Sequence, residues 1–214
     1  MPSTSVDRDD IIAAAVEVLK ERGSDGLTMR AVAARLGVSP IPLYTKVGDK
    51  NALVDAVAEE LLDQIRVDLD DSGPWADQAE RWAQGLRRGL RSLPDRRVLL
   101  HNHRRWALVG ATRPLLVALR AAGLPRDQSV RICRMLTWAT VGFVAVEAGV
   151  DYMEDDPHLA DGSTVAGGDP NGVSSTDVDA LFSSQIRFLI EGLGREVDEL
   201  STPPAGRGRR SPKG

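Results

Sequence analysis

Thr28–Leu53 reads TMRAVAARLGVSPIPLYTKVGDKNAL, and its interpretation decides the fold. The Thr28 hydroxyl is placed to cap a helix by accepting from an N–H one turn in. Met29, Val32, Ala33 and Leu36 follow at helical spacing, with Arg30 and Arg35 between them. Ala33 and Ala34 are small enough for a second helix to cross closely. Gly37 stands where the first helix must stop and the backbone can need a positive φ. Val38 is the apolar plug of the turn. Ser39 is placed to cap the next helix and Pro40 to open it, where a missing N–H costs nothing. That short helix runs from about Pro40 to Val47. Gly48 ends it, Asp49 caps the following helix, and Lys50 to Leu53 begin that one. Two short helices joined in this way form a helix-turn-helix.

The order of these signals is more specific than a generic pair of helices. It resembles the N-terminal domain of TetR-family transcription regulators, in which the segment after the turn has the form L-Y-x-H-F/V-x-x-K-x-x-L. Here that segment is Leu43, Tyr44, Thr45, Lys46, Val47, Gly48, Asp49, Lys50, Asn51, Ala52 and Leu53. Lys46 stands where the family often has His, and Pro40 with Pro42 is a less common opening of the recognition helix. The resemblance implies a helix that enters the major groove of double-stranded DNA. Ser39, Pro40, Ile41, Pro42 and Thr45 would face bases or thymine methyls. Thr28, Tyr44, Lys46 and Lys50 would hold phosphates and set register. The recognition helix has no Arg, Asn or Gln, so methyl contacts and DNA shape are expected to outweigh direct hydrogen-bond readout.

Composition sets the bounds around this motif. The chain has 214 residues, 42% of them apolar and only 4% aromatic, so its core must be mostly Leu, Val, Ala and Ile. Almost no segment alternates like a strand, which points to an all-α protein. The single cysteine, Cys133, lies in an apolar helical run and excludes an intrachain disulfide. Met1 to Asp10 is polar and acidic, unlike a secretory leader. The longest apolar run, Trp138 to Val150, is interrupted by Glu147, so no membrane span is expected. A cytoplasmic protein is the expected outcome. The net charge of −4 is unusual for a DNA binder, but its distribution matters more than its sum. Arg22 to Lys50 holds five basic and two acidic residues. That is a modest patch, suited to a few phosphate contacts per subunit and doubled in a dimer.

Taken in order, Met1 to Val6 reads as a mobile arm, and Asp7 with Asp10 as a capping box. The first helix runs to about Arg22 with Ile12, Ala15, Val16 and Leu19 inward, and Gly23 stops it. Gly48 to about Leu69 reads as one helix, with one end at the DNA and the other in the body. Asp70 to Pro74 is a linker. Helices are expected over Trp75 to Arg91, Asp95 to Val109, Thr112 to Ala122, Asp127 to Tyr152 and Asp177 to Leu200. The arrangement is a three-helix helix-turn-helix domain followed by a helical-bundle domain for ligand binding and dimerisation. Residues 1–52 are assigned to DNA binding, 53–200 to effector binding and dimerisation, and 201–214 to a disordered tail. Over roughly residues 70–195 the helix order, with segments such as FVAVEAG, resembles the tetracycline-repressor-like effector domain. Gly142, Ala145, Ala148 and Gly149 give the last long helices small faces, which fits a homodimer with a four-helix, isologous interface.

One charge pattern lies outside the resemblance. Arg81 to Arg134 contains thirteen arginines and two acids, whereas Met135 to Ile186 contains nine acids and no Lys or Arg. Three readings stand: a mobile acidic loop beside a solvated Arg-rich face, an electrostatic lid formed by residues 151–179, or an anionic ligand neutralised by some of the arginines. Trp82, His101, Trp106, Trp138, Phe143 and Glu147 are the candidate ligand-pocket residues. Glu147 sits in an apolar helix and must either hydrogen-bond a ligand or pair with an arginine. His101 and His103 point to different faces of a helix, so no metal site is expected, and no cofactor is implied. No catalytic motif is present. The sequence therefore reads as a dimeric regulator, a repressor released by a small-molecule effector from a palindromic operator. The alternative is a constitutive DNA-binding or protein-interaction module without a small ligand.

Overall fold

The first helix, α1 (Arg8–Gly26), begins at the capping box read from Asp7 and Asp10. The Asp10 amide donates to Asp7 Oδ1 at 2.9 Å, and the Asp7 amide donates to Asp10 Oδ2 at 3.1 Å. Gly23 breaks the regular helix with φ 65°, and one further turn carries the chain to Leu27. In this computed structural model the described residues are 6–70, 73–97, 108–154 and 175–201, with side chains described to 147 and over 178–197 in the last two stretches. Eight helices occur among them, and no strand. The expected helix over Asp95 to Val109 lies largely outside the described residues, as do the tail and most of the acidic stretch 151–179.

α2 (Met29–Leu36) is capped by Thr28, whose Oγ1 accepts from the Ala31 amide at 3.1 Å. Gly37 ends it at φ 68°. α3 (Ile41–Lys46) differs from expectation at its start. Its N-cap is Pro40 and no side chain caps it, so Ser39 does not play the expected role. α4 (Lys50–Asp63) is capped by Asp49, whose Oδ1 accepts from the Ala52 amide at 2.9 Å. Ile11, Ala15, Leu19, Val32, Ala33, Leu43, Leu53 and Val57 close a small apolar core among these four helices.

The expected helix from Gly48 to Leu69 is too long. α4 stops at Asp63, and residues 65–70 form a strap without regular secondary structure. Ile65 and Val67 are buried and Leu69 half-buried, with Arg66, Asp68 and Asp70 exposed between them. That alternation, with two β-branched residues, fits extended backbone and not a helix. The strap lies on α5 (Trp75–Arg91), where glycines allow close approach. A methyl at Gly85 would come within 2.7 Å of Val67 Cγ1, and one at Gly89 within 2.7 Å of Ile65 Cγ2.

The body is completed by α6 (Val109–Ala121), α7 (Arg126–Glu154) and α8 (Ser175–Ser201). α5 packs against α6, α7 and α8, so it is the central helix of this unit. Trp82, Leu86, Leu90, Leu115, Leu119, Ile132, Leu136, Val144, Phe182 and Ile186 form its core. Links between the units occur in two places among the described residues. α4 packs against α6, and the segment after α5 reaches back to the end of α1. There the Ser24 amide donates to Asp95 Oδ2 at 2.7 Å, and Arg97 bridges Asp95 and Asp25 at 2.8 and 2.9 Å. Leu93 touches both cores. Burial pushes the Asp95 carboxyl up, but the hydrogen bonds from Arg97 and Ser24 prevail and hold it well below the usual carboxylate range.

α7 carries two apolar stripes. Ile132, Cys133, Leu136 and Val144 face inward, whereas Met135, Trp138 and Val146 face out. α8 likewise leaves Leu181 and Phe188 exposed, the latter by 71%. The stretch Arg126–Glu147 is long and apolar enough to cross a membrane by composition, yet its inner stripe is packed into the body. Cys133 is buried, and burial pushes its thiol up to about 12, so it is an inert core residue as its setting suggested.

Candidate DNA-reading surface and a polar seam in the body

α3 is anchored inward by Leu43, which is fully buried in the N-terminal core, and its C-cap Val47 packs on the same core. The rest of the short helix therefore projects. Ile41 is 75% exposed and Tyr44 55%, and Ser39, Thr45 and Lys46 are also exposed. Pro40, Pro42 and Thr28 are half-buried, and Lys50 is exposed at the first turn of α4. The exposed Ile41 beside Tyr44 suits contact with thymine methyls and sugars. The Thr45 hydroxyl donates back to the Ile41 carbonyl at 3.3 Å, which leaves its oxygen lone pairs outward. Thr28 spends its oxygen on the α2 cap. Lys50 adds a positive charge at the N-terminus of α4, where backbone N–H groups already favour an anion.

The six residues considered for the ligand pocket do not form one group. Trp82 is fully buried on the α6 side of α5, and its Nε1–H donates to the Ala111 carbonyl at 2.7 Å. Trp138 is 55% exposed on the outer stripe of α7. His101 and Trp106 lie outside the described residues. Phe143 and Glu147 do come together, one turn apart on α7, and they meet residues that the sequence reading did not single out.

Those residues are Arg87 and Arg91 on α5 and Asp179 and Phe182 on α8. The Arg87 guanidinium is only 6% exposed and donates from Nη2 to Glu147 Oε1 at 2.8 Å. Its Nη1 pairs with Asp179 Oδ1 at 2.7 Å. Arg91 donates to the same Asp179 oxygen at 3.2 Å and lies 4.0 Å from Glu147. Phe143 and Phe182 meet edge to face at 5.1 Å, and the Arg87 cation sits 5.3 and 4.7 Å from their ring centres. Arg87 beside Asp179 holds that exposed carboxyl below its ordinary value, with Arg91 adding to the effect. Glu147 thus pairs with an arginine, one of its two expected fates. The available signal was the polar row Gln84, Arg87 and Arg91 at positions i, i+3 and i+7 of α5. Gln84 extends this row by donating to Ser183 Oγ at 3.1 Å. Among the described residues, Arg87 Nε and Glu147 Oε2 are buried without a hydrogen-bond partner. No group of metal-ligating side chains occurs among the described residues.

Comparison with known proteins matches both units. The family "Bacterial regulatory proteins, tetR family" matches residues 11–57, which span α1 to α4. The class D tetracycline repressor protein of Escherichia coli is 42% identical over 95 residues, a stretch that is 44% of this chain and 40% of that relative. This chain thus spans well under half of that relative's length in the match. The class A tetracycline repressor protein from transposon 1721 of Escherichia coli is 33% identical over 158 residues, covering 69% of this chain and 70% of the relative. Among solved structures, a TetR variant from Acinetobacter baumannii AYE in complex with minocycline superposes with a TM-score of 0.66 at 26% identity. It covers 90% of this chain and 98% of its own. The match at the reading helices and the likeness that extends through the body have one consequence: this chain belongs to the tetR family of bacterial regulatory proteins.

Proposed function

We infer that the protein is a sequence-specific transcriptional repressor that a small-molecule effector releases from DNA. The observation that carries this reading is α3, which buries Leu43 and leaves Ile41, Tyr44, Thr45 and Lys46 exposed. In this role Ser39, Pro40, Ile41, Pro42 and Thr45 contact bases, and Thr28, Tyr44, Lys46 and Lys50 contact phosphates and the backbone. The minocycline held by the Acinetobacter relative supports a small-molecule effector for the body of this chain. Effector binding favours one relative placement of head and body over another, and it can do so only by differential affinity for the two states. The α4–α6 contact and the Ser24–Asp95–Arg97 latch supply the physical connections.

The exposed apolar residues of α7 and α8 support a homodimer. Met135, Trp138, Leu181 and Phe188 leave the body with an outer face too apolar for a free surface. Gly142 and Gly192 on the same helices face open space, where a second copy could approach closely. An isologous pair of such faces would set two reading helices on two half-sites of a palindrome. The DNA-binding unit is drawn as α1 to α4, with the packing changing from one core to the other between Leu61 and Leu62. A soluble, cytoplasmic, non-enzymatic regulator completes the reading.

The test is fluorescence anisotropy of the full chain with labelled DNA from upstream of its own gene, at fixed near-physiological salt, with random-sequence DNA as competitor. Binding that survives a large excess of competitor, with two chains per site, is expected. Binding no tighter than to random DNA across a genomic-fragment selection would overturn the reading.

A further inference from the structure

The seam between α5, α7 and α8 is difficult to explain by stability alone. A buried ion pair is often no more stabilising than apolar residues of the same volume, because desolvation offsets the attraction. Here the pair is also imperfectly served: Arg87 Nε and Glu147 Oε2 are buried and bond nothing among the described residues. Two phenyl rings flank the cation. The third partner differs from the other two. Asp179 is 64% exposed, yet its carboxylate reaches in to bridge Arg87 and Arg91. It is a carboxylate at the rim of a site built from two guanidinium groups and two aromatic rings.

We propose that the seam takes an aromatic acid bearing a hydroxyl group, whose carboxylate replaces that of Asp179 on Arg87 and Arg91 while its ring joins Phe143 and Phe182. This rests on reading the body as an effector domain. The exchange conserves charge partners: two guanidinium groups keep two carboxylates, Glu147 and the ligand in place of Glu147 and Asp179. It is also cheap. Asp179 is itself 64% exposed, so on release its carboxylate returns to water, and Arg87 exchanges one carboxylate for another. The Glu147 pair is buried and stays. A ligand hydroxyl beside Arg87 can accept from Nε and donate to Glu147 Oε2, so one group serves both unpaired atoms. Asp179 thereby becomes an intramolecular competitor, and its departure removes the ionic tie between the start of α8 and α5 while the Gln84–Ser183 hydrogen bond remains.

The test is calorimetric titration of the full-length protein, without DNA, with three probes: 3-hydroxybenzoate, benzoate and methyl 3-hydroxybenzoate. The hydroxy acid is expected to bind more tightly than benzoate, and the uncharged ester at least about tenfold more weakly. Asp179→Asn is exposed and leaves the core intact. It should tighten the hydroxy acid about two- to fivefold and leave the ester unchanged. Arg91→Gln should weaken the acid and not the ester. An ester that binds as well as the acid overturns the inference, as does an Asp179→Asn protein that binds the acid no better than the wild type. No heat of binding with either protein also overturns it. Because DNA is absent, the outcome is separable from the operator test. Loss of specific DNA binding would sink the regulator reading and leave a bound acid standing; intact operator binding with no acid bound would sink only the seam as an effector site.

Discussion

In the N-terminal unit, three of the four helices begin at a cap made between residues three positions apart: Asp7 and Asp10, Thr28 and Ala31, Asp49 and Ala52. In the body, Arg87 reaches a carboxylate 60 residues along the chain, and Arg91 one that is 88 residues away. The difference is one of range. The head's helix starts are fixed by neighbours in sequence and its four helices close on one small apolar core, so it is a part that a ligand elsewhere can move but hardly remodel. The seam is made of three helices at once, so any change in their relative placement alters it. A regulator needs one part of each kind: a stiff reader and a body with a polar contact that has more than one good partner.

The largest expected effect is in the seam. Arg87→Met should destabilise the protein by about 3 kcal/mol, because it leaves the largely buried Glu147 without its close partner and with only Arg91, 4.0 Å away. The double substitution Arg87→Met with Glu147→Leu should recover most of that loss, since the desolvation of both ions disappears. Urea denaturation of the wild type, the single and the double variant measures this. A double variant as weak as the single one would mean that the seam is structural glue, and the contrast with the head would fail.

The latch between the units comes next. Asp95→Asn should cost about 2 kcal/mol at neutral pH, through lost charge-assisted hydrogen bonds to Arg97 and Ser24. The folded Asp95 carboxyl titrates below its unfolded value, so its stabilisation is complete above pH ~4 and is lost as pH falls through the folded value. The gap between wild type and variant should therefore narrow as the pH is lowered below about 4. A constant gap across that range would show that Asp95 acts by shape and not by charge. If the latch carries signal, the variant also loses effector response beyond its loss of stability.

The same contrast of range explains what the sequence made legible. Asp7, Thr28, Gly37 and Asp49 announced their helix ends because each acts on adjacent backbone. Ser39 misled because Pro40 begins α3 without a side-chain cap. The strap at Ile65, Val67 and Leu69 was visible as a two-residue alternation, but a helical run before it invited extension of the wrong period. In the body, Trp82 and Trp138 look alike in sequence, yet one is core and the other surface, since the side of a helix that faces in depends on partners far away. Glu147 could be flagged as a buried charge in need of a partner, but none of the thirteen arginines from Arg81 to Arg134 could be chosen for it.

Within the head, Thr28→Ala should cost about 1 kcal/mol, the usual loss of an N-cap. Thermal denaturation measures it. Because the cap is local, the cost should be the same in the Asp95→Asn background; a non-additive pair would show that head and body are energetically one unit.

The smallest effect on stability is expected at Lys50, and it is also the most specific. Lys50 is exposed at the first turn of α4, so Lys50→Ala should change stability by less than about 0.5 kcal/mol. Its role lies entirely in what approaches it. If Lys50 neutralises one phosphate, the slope of log affinity against log salt should fall by about 1 per subunit, with the order of preference among operator variants unchanged. Anisotropy titrations over a salt series, on the operator and on single-base variants, measure both quantities. A changed preference with an unchanged slope would place Lys50 at a base edge. In that case α4 as well as α3 would read sequence, and the reading surface would extend from the short helix held by Leu43 to the helix that packs on the body. The operator contacts and the path of the effector signal would then share one element, and the separation of a stiff reader from a responsive body would have its boundary inside α4.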